Sequence, residues 1–150
     1  MSVKVRPARP EDGPTFVSLV RALADFEKLP GPTDEAAARL VEDAFGARPK
    51  FELFMGEIDG EVVAYAATFT TYSTFLARPT LFLEDLFVHP RGRRRGVARA
   101  MMVHLRDVAR ERGCGRFEWN VLDWNVDAQE FYAGLGAELL KDWRVCRIVL

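Results

Sequence analysis

The 150-residue sequence predicts an α/β protein, a mixed sheet of about six or seven strands flanked by about four helices. Three observations carry this. Apolar residues recur with a period near 3.6 in some stretches and near 2 in others, and the two alternate along the chain. Asp59-Gly60 between two β-type runs marks a hairpin. The run Leu83-Glu-Asp-Leu-Phe-Val88 is followed at once by a glycine- and arginine-rich turn and then a helical pattern, the signature of a strand–helix–strand crossover.

In chain order, Val3 to Arg6 alternates as a first strand. Asp12 is placed to cap a helix with Pro14 in its first turn, and Phe16, Leu19, Val20 and Leu23 give it one buried stripe. Pro30 ends that helix. Thr33 caps a second, with Leu40, Val41 and Ala44 on its apolar side and Gly46 as its stop. Strands follow at 51–58, 61–72 and 80–88. Arg95 to Arg112 reads as a helix with Val97, Met101, Leu105 and Val108 inward, stopped by Gly113. A strand is expected at 116–122, a short helix at 125–133, and two final strands at 138–141 and 144–149. No repeat or linker interrupts this order, so residues 1–150 read as one domain.

The formal net charge is −1, which argues against a general nucleic-acid binder. Arginine is concentrated locally, with five between Arg91 and Arg99. The two cysteines lack metal spacing, and His89 and His104 have no ligand partners at suitable intervals, so no metal is expected. No apolar run nears the roughly 20 residues that span a bilayer. Met1 to Pro7 has no apolar signal segment, so a cytoplasmic setting with free thiols is expected, with no membrane and no nucleic acid as partner.

The arginine-rich turn is the chemical focus. No Ser, Thr, Asp or Asn caps the helix that it opens, which leaves the first backbone N–H groups without side-chain partners. Those amides, the helix dipole and nearby arginines suit a phosphate or pyrophosphate. A solvated basic loop is the plainer alternative. A nucleic-acid patch is a third, but it lacks interleaved aromatics.

Arg93-x-x-Gly96-x-Ala98 resembles the pyrophosphate turn of the GNAT superfamily of N-acetyltransferases. Asp25-Phe-Glu-Lys-Leu-Pro30, Leu83-Glu-Asp-Leu-Phe-Val88, Asp123-Trp-Asn125 and Phe131-Tyr-Ala-Gly-Leu-Gly-Ala137, with the weaker Trp143-Arg144, are similar to its spermidine/spermine (diamine) N-acetyltransferase branch. The resemblance implies that superfamily's mixed-sheet fold and a homodimer that moves an acetyl group from acetyl-CoA to a primary amine. It places the pantetheine arm along Leu86, Phe87 and Val88, and the pyrophosphate at Arg93, Arg94, Arg95, Gly96, Val97, Ala98 and Arg99. It adds cofactor contacts at Asn125, Val126, Asp127, Ala128 and Tyr132. It places Phe26, Glu27, Glu84, Glu118, Trp119 and Asn120 against the acceptor. It makes Tyr132 the general acid for the departing thiolate and Glu84 a catalytic carboxylate.

Chemistry bears on each assignment. Asn125 and Tyr132 lie seven residues apart on one helix, so they share a face about 10 Å apart along its axis. A phenol near pKa 10 can protonate a thiolate near 8.5 without being ionised at rest. A ring packed on the sheet is the alternative for Tyr132. Glu84 and Asp85 should face opposite sides of a regular strand. Glu84 either anchors an ammonium or relays a proton through water, because a carboxylate is too weak a base to deprotonate an amine directly. A structural ion pair to an arginine is the alternative, and it suits Asp85 better. Glu27 is otherwise a solvated helix end, Trp119 a core residue, and Asn120 has no settled role. The oxyanion is expected to meet the backbone N–H of Phe87 or Val88, provided the strand is locally splayed.

Three departures bear on the acceptor. Phe26 stands where polyamine enzymes have tyrosine, Ser73 where they have a carboxylate, and Phe75 where they have tryptophan. A shorter diamine or a lysine-like amino acid such as thialysine therefore fits better than a long polycation. Acetylation of a protein or an aminoglycoside, or a non-catalytic acyl-CoA-binding module, are the alternative functions.

Overall fold

A computed structural model describes all residues, Met1–Leu150, as two compact units, Met1–Trp119 and Asn120–Leu150. The first holds β1 (Val3–Pro7), α1 (Gly13–Glu27), α2 (Asp34–Phe45), β2 (Glu52–Ile58), β3 (Glu61–Ser73), β4 (Arg78–Val88), α3 (Val97–Glu111) and β5 (Arg116–Trp119). The second holds α4 (Val126–Gly134). No helix is long and apolar enough to cross a membrane.

The sheet runs β1-β2-β3-β4-β5, antiparallel through β4 and parallel between β4 and β5. Side-chain alternation divides its faces. Leu53, Met55, Tyr65, Ala67 and Phe87 join Phe16 and Leu19 of α1 in one core cluster. Gly56, one residue out of phase with Met55, faces α3: a Cβ there would lie 2.9 Å from the Met101 sulfur and 3.0 Å from Val97 Cγ1. Only glycine permits that approach. The buried stripe of α3 is Val97, Met101, Met102, Leu105 and Ala109, so Ala109 takes the place expected for Val108.

Asp59 and Gly60 both adopt positive φ, as the hairpin turn requires. Thr33 Oγ1 accepts from Ala36 N–H and caps α2. Asp12 stands at the N-cap of α1 but does not cap it. Its carboxylate instead accepts from the Arg9 amide and forms a two-pronged pair with Arg6 at 2.8 and 2.9 Å. Arg6 also donates to Glu57 on β2. Its nearly buried guanidinium thus ties β1, the entry to α1 and β2 together. Helix α1 stops at Lys28 in left-handed geometry, two residues before Pro30.

The final two strands expected from the sequence are absent, and the sheet has five strands rather than six or seven. Residues 138–150 alternate suitably, but alternation alone does not make a strand; a neighbour must take its backbone hydrogen bonds. Here none pairs with them, and Trp143, Val145, Ile148 and Val149 stay exposed. β5 likewise ends at Trp119 rather than Leu122, where its partner stretch on β4 ends.

Arg6→Met removes the countercharge from two nearly buried carboxylates and should destabilise the fold by on the order of 3 kcal/mol in thermal melts. Pairing with Arg6 holds the Asp12 carboxyl below its ordinary pKa. Its stabilisation is therefore present above the unfolded-state value and lost as pH falls. The gap between wild type and variant should narrow in acid.

Candidate active site

β4 is the element on which the site is built. Its register against β3 pairs Thr68 with Leu83 and Ala67 with Asp85, which leaves Glu84 as an extra residue in a β-bulge. On its other edge β4 pairs with β5 only from Thr80 to Leu83. From Glu84 to Val88 the strand therefore has a neighbour on one side alone, and the bulge sits where the two-sided pairing stops.

The ladder fixes which groups face the open side. His89 N–H donates to Val63 O at 2.8 Å, so 89/63 is a hydrogen-bonded position. Antiparallel pairs alternate, which makes 87/65 and 85/67 bonded positions too. The Phe87 amide is thus directed at β3, while Leu86 and Val88 turn N–H and C=O away from it. Val88 O is indeed accessible from that side, since it accepts from Arg93 Nε at 3.0 Å. Of the two oxyanion donors considered from sequence, only the Val88 N–H points outward.

The arginine-rich turn follows a single 3-10 turn at Pro90–Gly92. Arg94 and Gly96 both take left-handed φ, +62° and +81°, so α3 begins at Val97 rather than Arg95. No protein acceptor meets the backbone N–H groups from Arg94 to Arg99; the next amide, Ala100, donates to Gly96 O at 3.0 Å. A Cβ on Gly96 would have nothing within 4 Å, so the mouth of the helix is open. Open amides, a helix N-terminus and exposed arginines fit a pyrophosphate. Arg93 is distinct from its neighbours. Its guanidinium lies over the rings of Phe26, at 5.4 Å, and Phe87, at 5.6 Å. It thereby links the turn to the end of α1 and to β4.

On the α1 face, Asp85 and Phe87 follow the alternation of Ala67 and Tyr65. Asp85 has no arginine partner of the kind considered from sequence. Its Oδ2 accepts from the Tyr65 hydroxyl at 3.2 Å. Burial first, then the charges of Glu84 and Glu27, push its carboxyl up to about 6, against the pull of the Tyr65 hydrogen bond. Glu27, half-buried at the end of α1, is itself raised by burial. Glu84 is exposed. Three carboxylates from α1 and β4 thus influence one locality, and no cation counters Asp85.

Of the other expected residues, Glu118 and Trp119 lie on β5, paired with Phe82 and Leu83 just before the bulge. Phe117 and Trp119 stack at 4.8 Å on β5, and Glu118 makes only a loose, exposed pair with Arg116 at 4.0 Å. Ser73 Oγ caps the β3–β4 turn by accepting from Leu76 N–H. His89 Nδ1 accepts from Arg91 N–H, and His104 packs against Phe54.

In the second unit Asn120 is exposed. Asn125 caps α4 by accepting from Ala128 N–H at 3.2 Å, with Val126 and Asp127 in the first turn. Gln129 Nε2 donates to the carbonyls of Leu122 and Asp123, tying α4 to the loop before it. The Tyr132 ring lies 5.4 Å from that of Phe131, and burial raises its phenol pKa, so it holds its proton at neutral pH.

Tyr65 and Asp85 were not among the sequence candidates. The signal was two polar residues at inward positions of adjacent apolar strands, but their pairing depends on a register that the bulge shifts.

Asp85→Asn gives a stability test with a defined sign. A carboxyl raised in the folded state favours folding below its unfolded pKa of about 4, and that benefit disappears as pH rises through about 6. The variant should gain roughly 2–3 kcal/mol on wild type between pH 4 and pH 7.5, read by denaturant melts.

The acetyltransferase (GNAT) family matches residues 17–137. The thialysine N-epsilon-acetyltransferase of Mus musculus is 35% identical over 149 residues, covering 94% of this chain and 87% of its own. The L-ornithine N5-acetyltransferase of Arabidopsis thaliana is 27% identical, covering 99% and 85%. The crystal structure of a probable acetyltransferase superposes with a TM-score of 0.84 at 17% identity, covering 98% and 97%. The chain therefore belongs to the acetyltransferase (GNAT) family, as an N-acetyltransferase that uses acetyl-CoA to acetylate an amine.

Proposed function

We propose that the acceptor is a small primary amine, either a lysine-like amino acid such as thialysine or a short diamine, and that it attacks acetyl-CoA directly in a ternary complex. The observation that carries this reading is the outward-turned backbone of β4 beyond the Glu84 bulge, next to carboxylates at Glu27, Glu84 and Asp85. Acetyl-CoA supplies an activated acetyl thioester. The chain's residues bind and orient it: Leu86 and Val88 offer backbone groups to the pantetheine amides, and the amides of residues 94–99 hold the pyrophosphate. The Val88 N–H donates to the developing oxyanion. Glu84 and its neighbouring carboxylates attract the ammonium and pass its proton to water, and Tyr132 protonates the departing thiolate.

A short acceptor is favoured because Ser73 is committed to its own turn and Phe75 is exposed, so neither supplies an anchor for a distant second ammonium. The names of relatives that act on thialysine and ornithine lend support. Cys114 lies between two glycines with no base beside it in sequence, which disfavours an acetyl-cysteine route. We further propose a cytoplasmic homodimer in which the exposed apolar segment ending at Leu150 docks on a second copy.

A thiol-release assay across an amine panel tests the acceptor. Thialysine, ornithine or a short diamine should lead, and spermine leading by a wide margin would refute the reading. Tyr132→Phe should lower kcat roughly a hundredfold or more with acetyl-CoA affinity unchanged; unaltered turnover removes it from the mechanism. Glu84→Gln should act mainly on KM for the amine, and an effect confined to acetyl-CoA binding would contradict its role.

A further inference from the structure

We propose that Tyr65 is a positioning residue of the acceptor site: its hydroxyl orients Asp85 and holds it as a carboxylate, making Asp85 the inner anchor for the incoming ammonium. The inference rests on the amine-acceptor reading above and adds two residues to it.

Tyr65 has 0% of its surface exposed. Its ring packs edge-on against Phe16 at 5.3 Å, within the cluster that joins α1 to the sheet. A phenylalanine would fill that place equally well, so the hydroxyl must be explained by what it bonds. It bonds Asp85 Oδ2 alone. The contact is diagonal across the β3–β4 ladder. Tyr65 stands opposite Phe87, and Asp85 stands opposite Ala67, whose small side chain leaves room for the phenol to lean across.

The bulge makes the arrangement one-sided. Because Glu84 is looped out, Asp85 falls out of phase with Leu83 and, together with Phe87, enters the α1 face. One carboxylate oxygen is then fixed, and the structure gives the other no protein donor. The charged groups that act on Asp85 are Glu84 on β4 and Glu27 on α1, both anionic, with neutral Tyr65 on β3. A half-buried carboxylate that feels two others, with its free oxygen unpaired, is complementary to an ammonium. The Tyr65 donor is the one contact from the chain that favours the ionised form, since burial and both neighbours oppose it. Glu84, being exposed, is left for exchange with water.

The test uses the full-length protein. Tyr65→Phe keeps the ring and removes only the hydroxyl. Carboxyl NMR titration of wild type should give Asp85 a midpoint near 6, and Tyr65→Phe should raise it by roughly half to one unit. In the pH profile of kcat/KM for the preferred amine, the acid limb should move up by the same amount. The amine KM at pH 7 should rise about five- to tenfold, with acetyl-CoA affinity and the fold retained. Asp85→Asn should abolish the limb. A folded Tyr65→Phe with wild-type acid limb and amine KM would overturn the proposal, as would an acid limb that survives in Asp85→Asn. If Tyr65→Phe does not fold, the Asp85→Asn profile decides alone. A wild-type chain that acetylates no amine defeats the acceptor reading and this role with it; the carboxyl titration still reports whether the phenol sets Asp85.

Discussion

The bulge at Glu84 is the constraint from which the site follows. A regular β4 would hold Asp85 in phase with the opposite face. One inserted residue shifts the phase, so Asp85 and Phe87 both enter the face that α1 covers while Leu86 and Val88 turn their backbone outward. The parallel pairing with β5 ends one residue earlier, at Leu83. In the proposed function, the binding groups for an extended ligand are the strand's own unspent hydrogen bonds, held rigid by β3 on the other side. Precision comes from the sheet and costs no further side-chain ordering.

The electrostatic arrangement carries opposite signs at two places on the same strand-and-turn segment. The turn after β4 and the first turn of α3 gather five arginines and a row of amides without protein acceptors, suited to phosphates. Upstream, Glu27, Glu84 and Asp85 share one locality without a countercharge. Arg93 is the exception within its cluster, lying over Phe26 and Phe87 and bonding Val88 O. It braces the end of the strand as well as adding positive charge. Gathering like charges lowers stability, and the nearly buried Arg6 network between β1, β2 and the start of α1 lies elsewhere in the fold, where it is free to offset that cost.

Much of this was legible from local pattern. Asp59-Gly60, Thr33, and the uncapped glycine turn before α3 each act through neighbours only a few residues away, and each behaves as its chemistry dictates. What escaped depends on partners that the tertiary fold brings together. Asp12 was a plausible cap, but a buried Arg6 is a stronger claimant than an amide. The apolar alternation of residues 138–149 resembles strands, yet a strand exists only where another completes its ladder. Tyr65 reads as one more apolar position on β3, because its hydroxyl acquires meaning only through a diagonal contact twenty residues on. The bulge left no mark in composition at all; Glu84-Asp85 looked like two carboxylates on opposite faces.

The most direct measurement is a backbone amide NMR titration of the protein with coenzyme A. Amide resonances of Leu86, Val88 and residues 94–99 should shift together and saturate, while that of Phe87, whose N–H is spent on β3, should move least along the strand. Saturable binding that leaves the residue 94–99 amides unperturbed, or that perturbs Phe87 in place of Leu86 and Val88, would contradict the site described.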